Sequence, residues 1–295
     1  MKKLYKKIRQ MCKAVGMELE EHRSSFIVYA VLRILVILVM VLQIFNGNFE
    51  NVFLCILTLF LLIVPSFVQV EFRIELPTTL EIIILLFIFS AEILGEIRSF
   101  YILIPGWDTI LHTLNGFLAA AIGFSLVDLL NRSKRYEFKL SPAFVALVAF
   151  CFSMTIGIIW EFFEFGMDTF FHMDMQKDTI ITSIHSVLLN PGAKNVPVDI
   201  ENIKNVTVNG RDLGINGYLD IGLIDTMKDL FVNFIGAAVF SVFGFLYVKG
   251  RGKNKIAKQF IPSVKEESAD FLKQVEEEDQ QKEEKTEFPE KDDCR

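Results

Sequence analysis

The sequence predicts an all-α, polytopic transmembrane helical bundle of about six spans, with a small extracytoplasmic cap that holds a candidate β-hairpin. Three observations predict it. Apolar residues, 29 of them Phe, gather in about six runs, each near the length that crosses roughly 30 Å of hydrocarbon. Lys and Arg concentrate in the N-terminal segment, the 131–139 link and the stretch after 248. One gap, 166–224, is far too long for a simple link and alternates β-formers around Asn209-Gly210. The 52% hydrophobic content is only mildly high, so distribution rather than total decides the class.

Residues 1–25 are a basic segment (Lys2, Lys3, Lys6, Lys7, Arg9, Lys13) of partly amphipathic character, expected on the membrane surface at the cytoplasmic side. The first run spans 26–45. It is about twenty residues long and no small-x-small cleavage site follows, so it reads as a retained span, not a leader. Arg33 lies two turns inside it, close enough to snorkel to the nearer face. The second span is 51–70, interrupted by Pro65. The third, 79–98, contains Glu81, placed at the inner interface, and Glu92 and Glu96 nearer the other side. Spans four, five and six cover 107–130, 142–165 and 226–248. Residues 249–295 form a basic, then acidic tail, expected to be disordered or a lone frayed helix, since its last thirty residues hold few large apolar side chains.

The positive-inside rule orients the bundle. The N-terminal segment, the 131–139 link and the stretch after 248 are basic, and six crossings put all three on one side. Both termini are therefore expected in the cytoplasm and 166–224 outside, in a plasma membrane of bacterial type. The net charge of −6 comes from the acidic tail. Lys and Arg beside helix ends serve topology, so membrane lipids are the expected partners and nucleic acid is not. Cys12, Cys55, Cys151 and Cys294 show no ligand-like or disulfide spacing.

Three spans carry polar residues that a lipid-facing helix would not choose. Span four opens with Asp108, His112 and Asn115, four and three residues apart and so on one helical face. Span five ends with Trp160, Glu161, Glu164 and Asp168. Span six opens with Asp225, Asp229 and Asn233. Each set lies within about two turns of the outer boundary. Carboxylates in spans are expensive and face a bundle interior or a wet cavity. Several on neighbouring helices must protonate or share a cation, and carboxylates with one imidazole suit Zn, Mn, Mg or Fe as divalent ions. The candidate metal ligands are Asp108, His112, Glu161, Glu164, Asp168, Asp225 and Asp229, with Asp168 and Asp225 at the rim; Glu161, Glu164 and Asp229 are the candidate catalytic groups. The plainer reading is interfacial acids and belt tryptophans that meet water. His172, Asp174, Asp178 and His185 follow span five, where loop polarity explains them. Ala119-x-x-x-Gly123 and Ala237-x-x-x-Ser241 are packing spacings.

Asp108-x-x-x-His112, Trp160-Glu161-x-x-Glu164 and the run from Leu219-Asp220 through Asp225 and Asp229 to Gly236-Ala237 resemble the YjdF-type bacterial inner-membrane proteins, an uncharacterised multi-span family. The resemblance covers spans three to six and implies the fold and residue set, not an activity. Three functional classes stay open: a metal-assisted enzyme on lipid or envelope head groups, an ion-coupled transporter, and a non-catalytic membrane protein or sensor.

Overall fold

The computed structural model describes residues 2–21, 23–132, 140–192, 194–250, 258–265 and 267–287. The basic residues of 133–139 and 251–257 that carry the orientation argument lie outside them. The molecule is a helical membrane bundle. Among the described residues, five helices are long and apolar enough to cross a membrane: α2 (Arg23–Phe45), α3 with α4 (Phe49–Leu61 and Val64–Phe72), α7 (Trp107–Arg132), α8 (Pro142–Phe171) and α9 (Leu223–Lys249). The break between α3 and α4 falls just before Pro65, whose missing N–H is tolerated in the first turn of the new helix.

The expected third span, 79–98, is not among these five. Helix α5 (Thr78–Phe89) runs without interruption into a π-helix at Ser90–Ile97. Wider turns of this kind are frequent at functional sites. A short helix α6 (Phe100–Leu103) then leads to α7, with the ring of Tyr101 packed against the bare Cα of Gly95.

The helices form two sub-bundles. In the first, α2, α3, α5 and the π-helix bury Tyr29, Leu32, Val36, Cys55, Leu62, Leu85 and Ile93. In the second, α7, α8 and α9 pack on one another around Ala120, Ala121, Phe124, Val145, Ala149, Ala237 and Phe240. Small residues let α7 and α9 close to backbone contact: a Cβ on Gly116 would sit 2.9 Å from the Asn233 carbonyl carbon, and one on Gly236 2.9 Å from Phe117 N. Arg33 donates to Tyr29, one turn towards the start of α2, as snorkelling requires.

Both ends of the described chain meet at one end of the bundle. The N-terminal helix α1 (Lys2–Glu21) packs on α4 and on α10 (Phe271–Glu287). Strand β1 (Ile74–Glu75) pairs antiparallel with β8 (Ser263–Val264). Here the structure differs from the sequence expectation: residues 271–287 are neither disordered nor a lone helix. Phe271, Leu272 and the buried Val275 give α10 an apolar stripe, and Lys13–Glu278 and Gln10–Asp279 tie it to α1. Just before it, Phe260 and the buried Ile261 insert among the α7–α9 residues. Glu81 also differs. It is buried, 4% exposed, and accepts from Gln69, whose own carbonyl takes the Leu76 N–H.

At the opposite end, residues between α8 and α9 form three two-stranded pieces. They are β2 (Ile180–Ile181) with β7 (Tyr218–Leu219), β3 (Ile184–Ser186) with β4 (Val198–Ile200), and β5 (Thr207–Val208) with β6 (Arg211–Asp212). The last is the hairpin that Asn209-Gly210 predicts, with φ of 50° and 80° at its two turn residues, as a type I′ turn demands.

Candidate metal centre

The three polar stripes meet. Helix α7 contributes Asp108 and His112 one turn apart, α8 contributes Glu161 and Glu164, and α9 contributes Asp229. All but Asp108 are buried; Asp229 is 1% exposed. Ligand atoms of Asp108, His112 and Asp229 lie within 4.8 Å of one another, and so do those of His112, Glu161 and Glu164. His112 is shared. Its Nε2 is 3.4 Å from Asp108 Oδ1 and 3.9 Å from Asp229 Oδ2, while Nδ1 is 3.9 Å from Glu161 Oε1.

The surroundings hold these groups unequally. Glu164 Oε1 accepts from the Trp160 indole N–H at 2.8 Å, so that tryptophan does more than mark the interface. Asp229 Oδ1 is buried and accepts no hydrogen bond. An unpaired acceptor in a membrane bundle costs several kcal/mol, at about the scale of an unmade bond in hydrocarbon, unless a ligand completes it. Nearby, the Trp107 indole N–H is likewise unpartnered.

Asp168 and Asp225 stand outside both triads. Asp168 accepts from the backbone N–H groups of Met175 and Gln176 at 2.6 and 2.8 Å, and Asp225 from that of Lys177 at 2.8 Å. They fasten the loop after α8 over the centre. Asp220 fixes its other strand, accepting from Thr179 N and Ile224 N. Its burial pushes the Asp220 carboxyl up, but these backbone donors outweigh that and hold it below the usual carboxylate range. The loop candidates do not reach the centre. His185 pairs with Asp199 inside the cap at 2.7 Å, His172 ends α8 in a left-handed conformation, and Asp174 meets Lys177.

Two further groups join the neighbourhood without having shown in the sequence. Gln176 donates to Thr226 Oγ1 at 2.6 Å and reaches Glu161 Oε2 at 3.5 Å. Tyr101 lies within electrostatic range of Glu96, Asp108, Glu92 and Glu164, so the π-helix carboxylates border the same polar region. Asn115 and Asn233 sit just below. They bond to each other at 3.3 Å, and Ser153 donates to the Gly116 carbonyl at 2.7 Å, which makes a neutral polar layer under the charged one.

The family model described as "Predicted membrane protein (DUF2238)" matches residues 27–250, from the first span to the end of α9. The chain belongs to this family. The DUF2238 match takes in all five residues of the two triads and agrees with the YjdF-type resemblance seen in the motifs. No curated protein and no solved structure matches the chain. For this DUF2238 member, then, family membership gives an integral membrane protein, and the chemistry has to be argued from the centre itself.

Proposed function

We propose that this protein is a metal-assisted enzyme that acts on lipid or envelope head groups from the outer face of a bacterial plasma membrane, with α1 and α10 on the cytoplasmic side. The observation that carries the reading is Asp229: it is 1% exposed, it shares a ligand-atom cluster with Asp108 and His112, and one of its carboxylate oxygens, Oδ1, has no hydrogen-bond partner. Three helices would hardly converge four carboxylates on one imidazole without a cation to offset the desolvation. The mixed oxygen and nitrogen donors suit a hard or borderline divalent ion such as Mn²⁺, Mg²⁺, Fe²⁺ or Zn²⁺. Orientation rests on the basic segments at 1–25, 131–139 and after 248.

A bound divalent ion supplies Lewis acidity and lowers the pKa of a bound water. The protein's own part is positional. Asp108, His112 and Asp229 would hold the ion. Glu164, fixed by Trp160, is placed to take a proton from a nucleophile, and Glu161 orients the imidazole from its Nδ1 side. The loop around Gln176 covers the centre and excludes bulk water.

The test is metal content by inductively coupled plasma mass spectrometry, with lipid mass spectrometry on vesicles of phosphatidylethanolamine, phosphatidylglycerol and cardiolipin. Wild type is compared with His112→Ala and Glu161→Gln, each first shown to be folded by its size-exclusion profile. Bound metal and head-group conversion in wild type, both lost in the folded variants, is the expected result. Wild type purified without chelator and carrying no metal would sink the proposal.

A further inference from the structure

The N-terminal helix α1 carries one apolar stripe in two different settings. Leu4, Ile8, Met11, Val15 and Leu19 recur at steps of four and three, so they share one face. The second half of that face is packed. Met11, Val15 and Leu19 join Ala14 in an apolar cluster with Ile63 and Val70 of the second span and Phe271 and Leu272 of α10. The first half is not packed: Leu4 is 65% exposed and Ile8 53%, with Tyr5 beside them at 72%. We infer that this free half of the stripe seats in an anionic lipid leaflet, at the membrane face where α4 ends, and anchors α1 there.

Continuity identifies the occupant. Val70 lies near the end of a membrane-crossing helix, and α1 packs beside it. Where α1 runs on past the protein at that level, lipid lies under the same face. Helices of this kind bury an apolar side at the head-group boundary and keep a basic side in water. The sequence places the whole basic segment on the membrane surface. The structure divides it, giving the second half of the stripe to protein and the first half to lipid.

Charge identifies the lipid. At 3.6 residues per turn, Lys7 falls about 80° to one side of the Leu4–Ile8 stripe and Arg9 about 120° to the other. Both are exposed. From those flanks their stems cover apolar surface while their charged ends reach phosphate. Tyr5, between the stripe and Arg9, is a residue type enriched at such interfaces. The acidic α10 occupies a different side. Gln10 and Lys13, which donate to Asp279 and Glu278 at 3.0 and 2.6 Å, fall about 140° and 160° from the stripe. A second copy of the chain would bring its own basic flanks to the same stripe, like charge against like.

The experiment measures depth in a bilayer. Full-length protein with Cys12→Ser, Cys151→Ser and Cys294→Ser keeps only the buried Cys55. It is labelled with a nitrobenzoxadiazole dye at Ile8→Cys, or at Glu20→Cys as the control, an exposed site about 140° from the stripe. Nanodiscs contain phosphatidylcholine alone or with phosphatidylglycerol, plus lipid spin-labelled high in its acyl chain. The expected result is strong quenching at position 8, but not at 20, in the phosphatidylglycerol discs. Each Lys or Arg near an anionic surface is worth about a fivefold preference, so Lys7→Gln with Arg9→Gln should weaken seating by roughly twenty-five-fold. Raised salt should weaken it too. Both dye sites are exposed, and Tyr5→Cys repeats the test should Ile8→Cys fail to fold. Equal quenching at position 8 in both lipid compositions overturns the recognition of anionic lipid. Quenching at position 8 no greater than at 20 in either composition overturns the lipid seat altogether, and a dimer in light scattering would then give the stripe to a second copy.

Discussion

Replacing Gly236 by Ala should pull the centre apart from a distance. A Cβ at Gly236 would fall inside the shell of the Thr113 carbonyl oxygen, 2.9 Å from Phe117 N and 3.0 Å from Thr113 C. These are backbone atoms, so no rotamer change relieves them, and α7 must move from α9 by about 1 Å to reach ordinary contact. Alanine is the better helix former by up to about 1 kcal/mol, but overpacking of this kind costs about 1–3 kcal/mol, and rigid backbone neighbours favour the upper part of that range. The net expectation is a loss of about 1–2 kcal/mol. Thr113 follows His112 directly and Gly236 lies two turns beyond Asp229, so the displacement widens the 3.9 Å gap from Nε2 to Oδ2 by a similar amount. Metal affinity should fall by about tenfold or more, the usual scale for a disturbed ligand frame. The control is Gly166→Ala on α8, where a Cβ meets nothing within 4 Å; it should be neutral or stabilising by about 0.5–1 kcal/mol. Thermal midpoints in detergent and Mn²⁺ titration read both effects. If Gly236→Ala melts and binds like wild type, or Gly166→Ala is as damaged, the close-packing argument is wrong.

Two more predictions concern the two ends of the bundle. Burial pushes Glu18 of α1 up to about 7; Lys265 beside it pulls the other way, and Glu75 and Glu21 add to the rise. The folded state then holds a proton that the unfolded carboxyl has released, so the contact among α1, β8 and α10 weakens as pH rises from about 4.5 to 7 and stays weaker above. Hydrogen exchange at Phe271–Val275, corrected for intrinsic rate, should show easier opening at pH 8 than at pH 5, and Glu18→Gln should remove the difference; equal protection at both pH values contradicts this. At the other end, Asp220→Ala removes the acceptor for Thr179 N and Ile224 N and should loosen the 173–179 loop by about 1 kcal/mol. Because the Asp220 carboxyl is held below its ordinary value, the wild-type cap keeps this support down to about pH 4 and loses it below. Protease nicking confined to the loop in Asp220→Ala is the expected readout, and a resistant loop would refute the role.

The parts of this architecture that show in the sequence are those with a simple physical signature. Asp108, Glu161, Glu164 and Asp229 stand out because a carboxylate in an apolar run has few innocent explanations. Helical spacing puts each on a stripe with its neighbours, and the hairpin at Asn209-Gly210 follows from the need for two positive φ values. What does not show is set by partners far along the chain. Nothing in Ser90–Ile97 announces a π-helix, since its apolar spacing fits an ordinary turn. Gln176 is one polar residue among many in its loop until Glu161 and Thr226 are placed beside it. Lys265 reads as tail polarity, yet it is buried between Glu18 and Glu75. For α10 the signal exists in Phe271, Leu272 and Val275, but it is short, and the acidic residues that follow outweigh it in any average.

The axis of the α7–α9 bundle also bears on what the centre is for. Its turns nearest the 172–222 segment carry Asp108, His112, Glu161, Glu164 and Asp229. One turn deeper the polarity is neutral: Asn115, Asn233 and the Ser153 hydroxyl bond to each other or to backbone, and Gly116 and Gly157 close the helices onto Asn233. Deeper still come Ala120, Ala121, Phe124 and Phe240, and Ile261 is packed among them, arriving from the opposite end. An ion entering at the charged layer would meet Asn233, 1% exposed, and then a buried apolar core with Phe124 and Phe240. Transport needs polar groups or broken helices near the middle of the bilayer. Here α7, α8 and α9 are unbroken, and the π-helix at Ser90–Ile97 lies towards the same end as the triads. A carrier built on this frame would have to separate α7 from α9 where their backbones touch at Gly116 and Gly236, the contact the bundle can least spare. The charged layer therefore has no polar continuation through the α7–α9 core, which favours the proposed enzyme over a through-route.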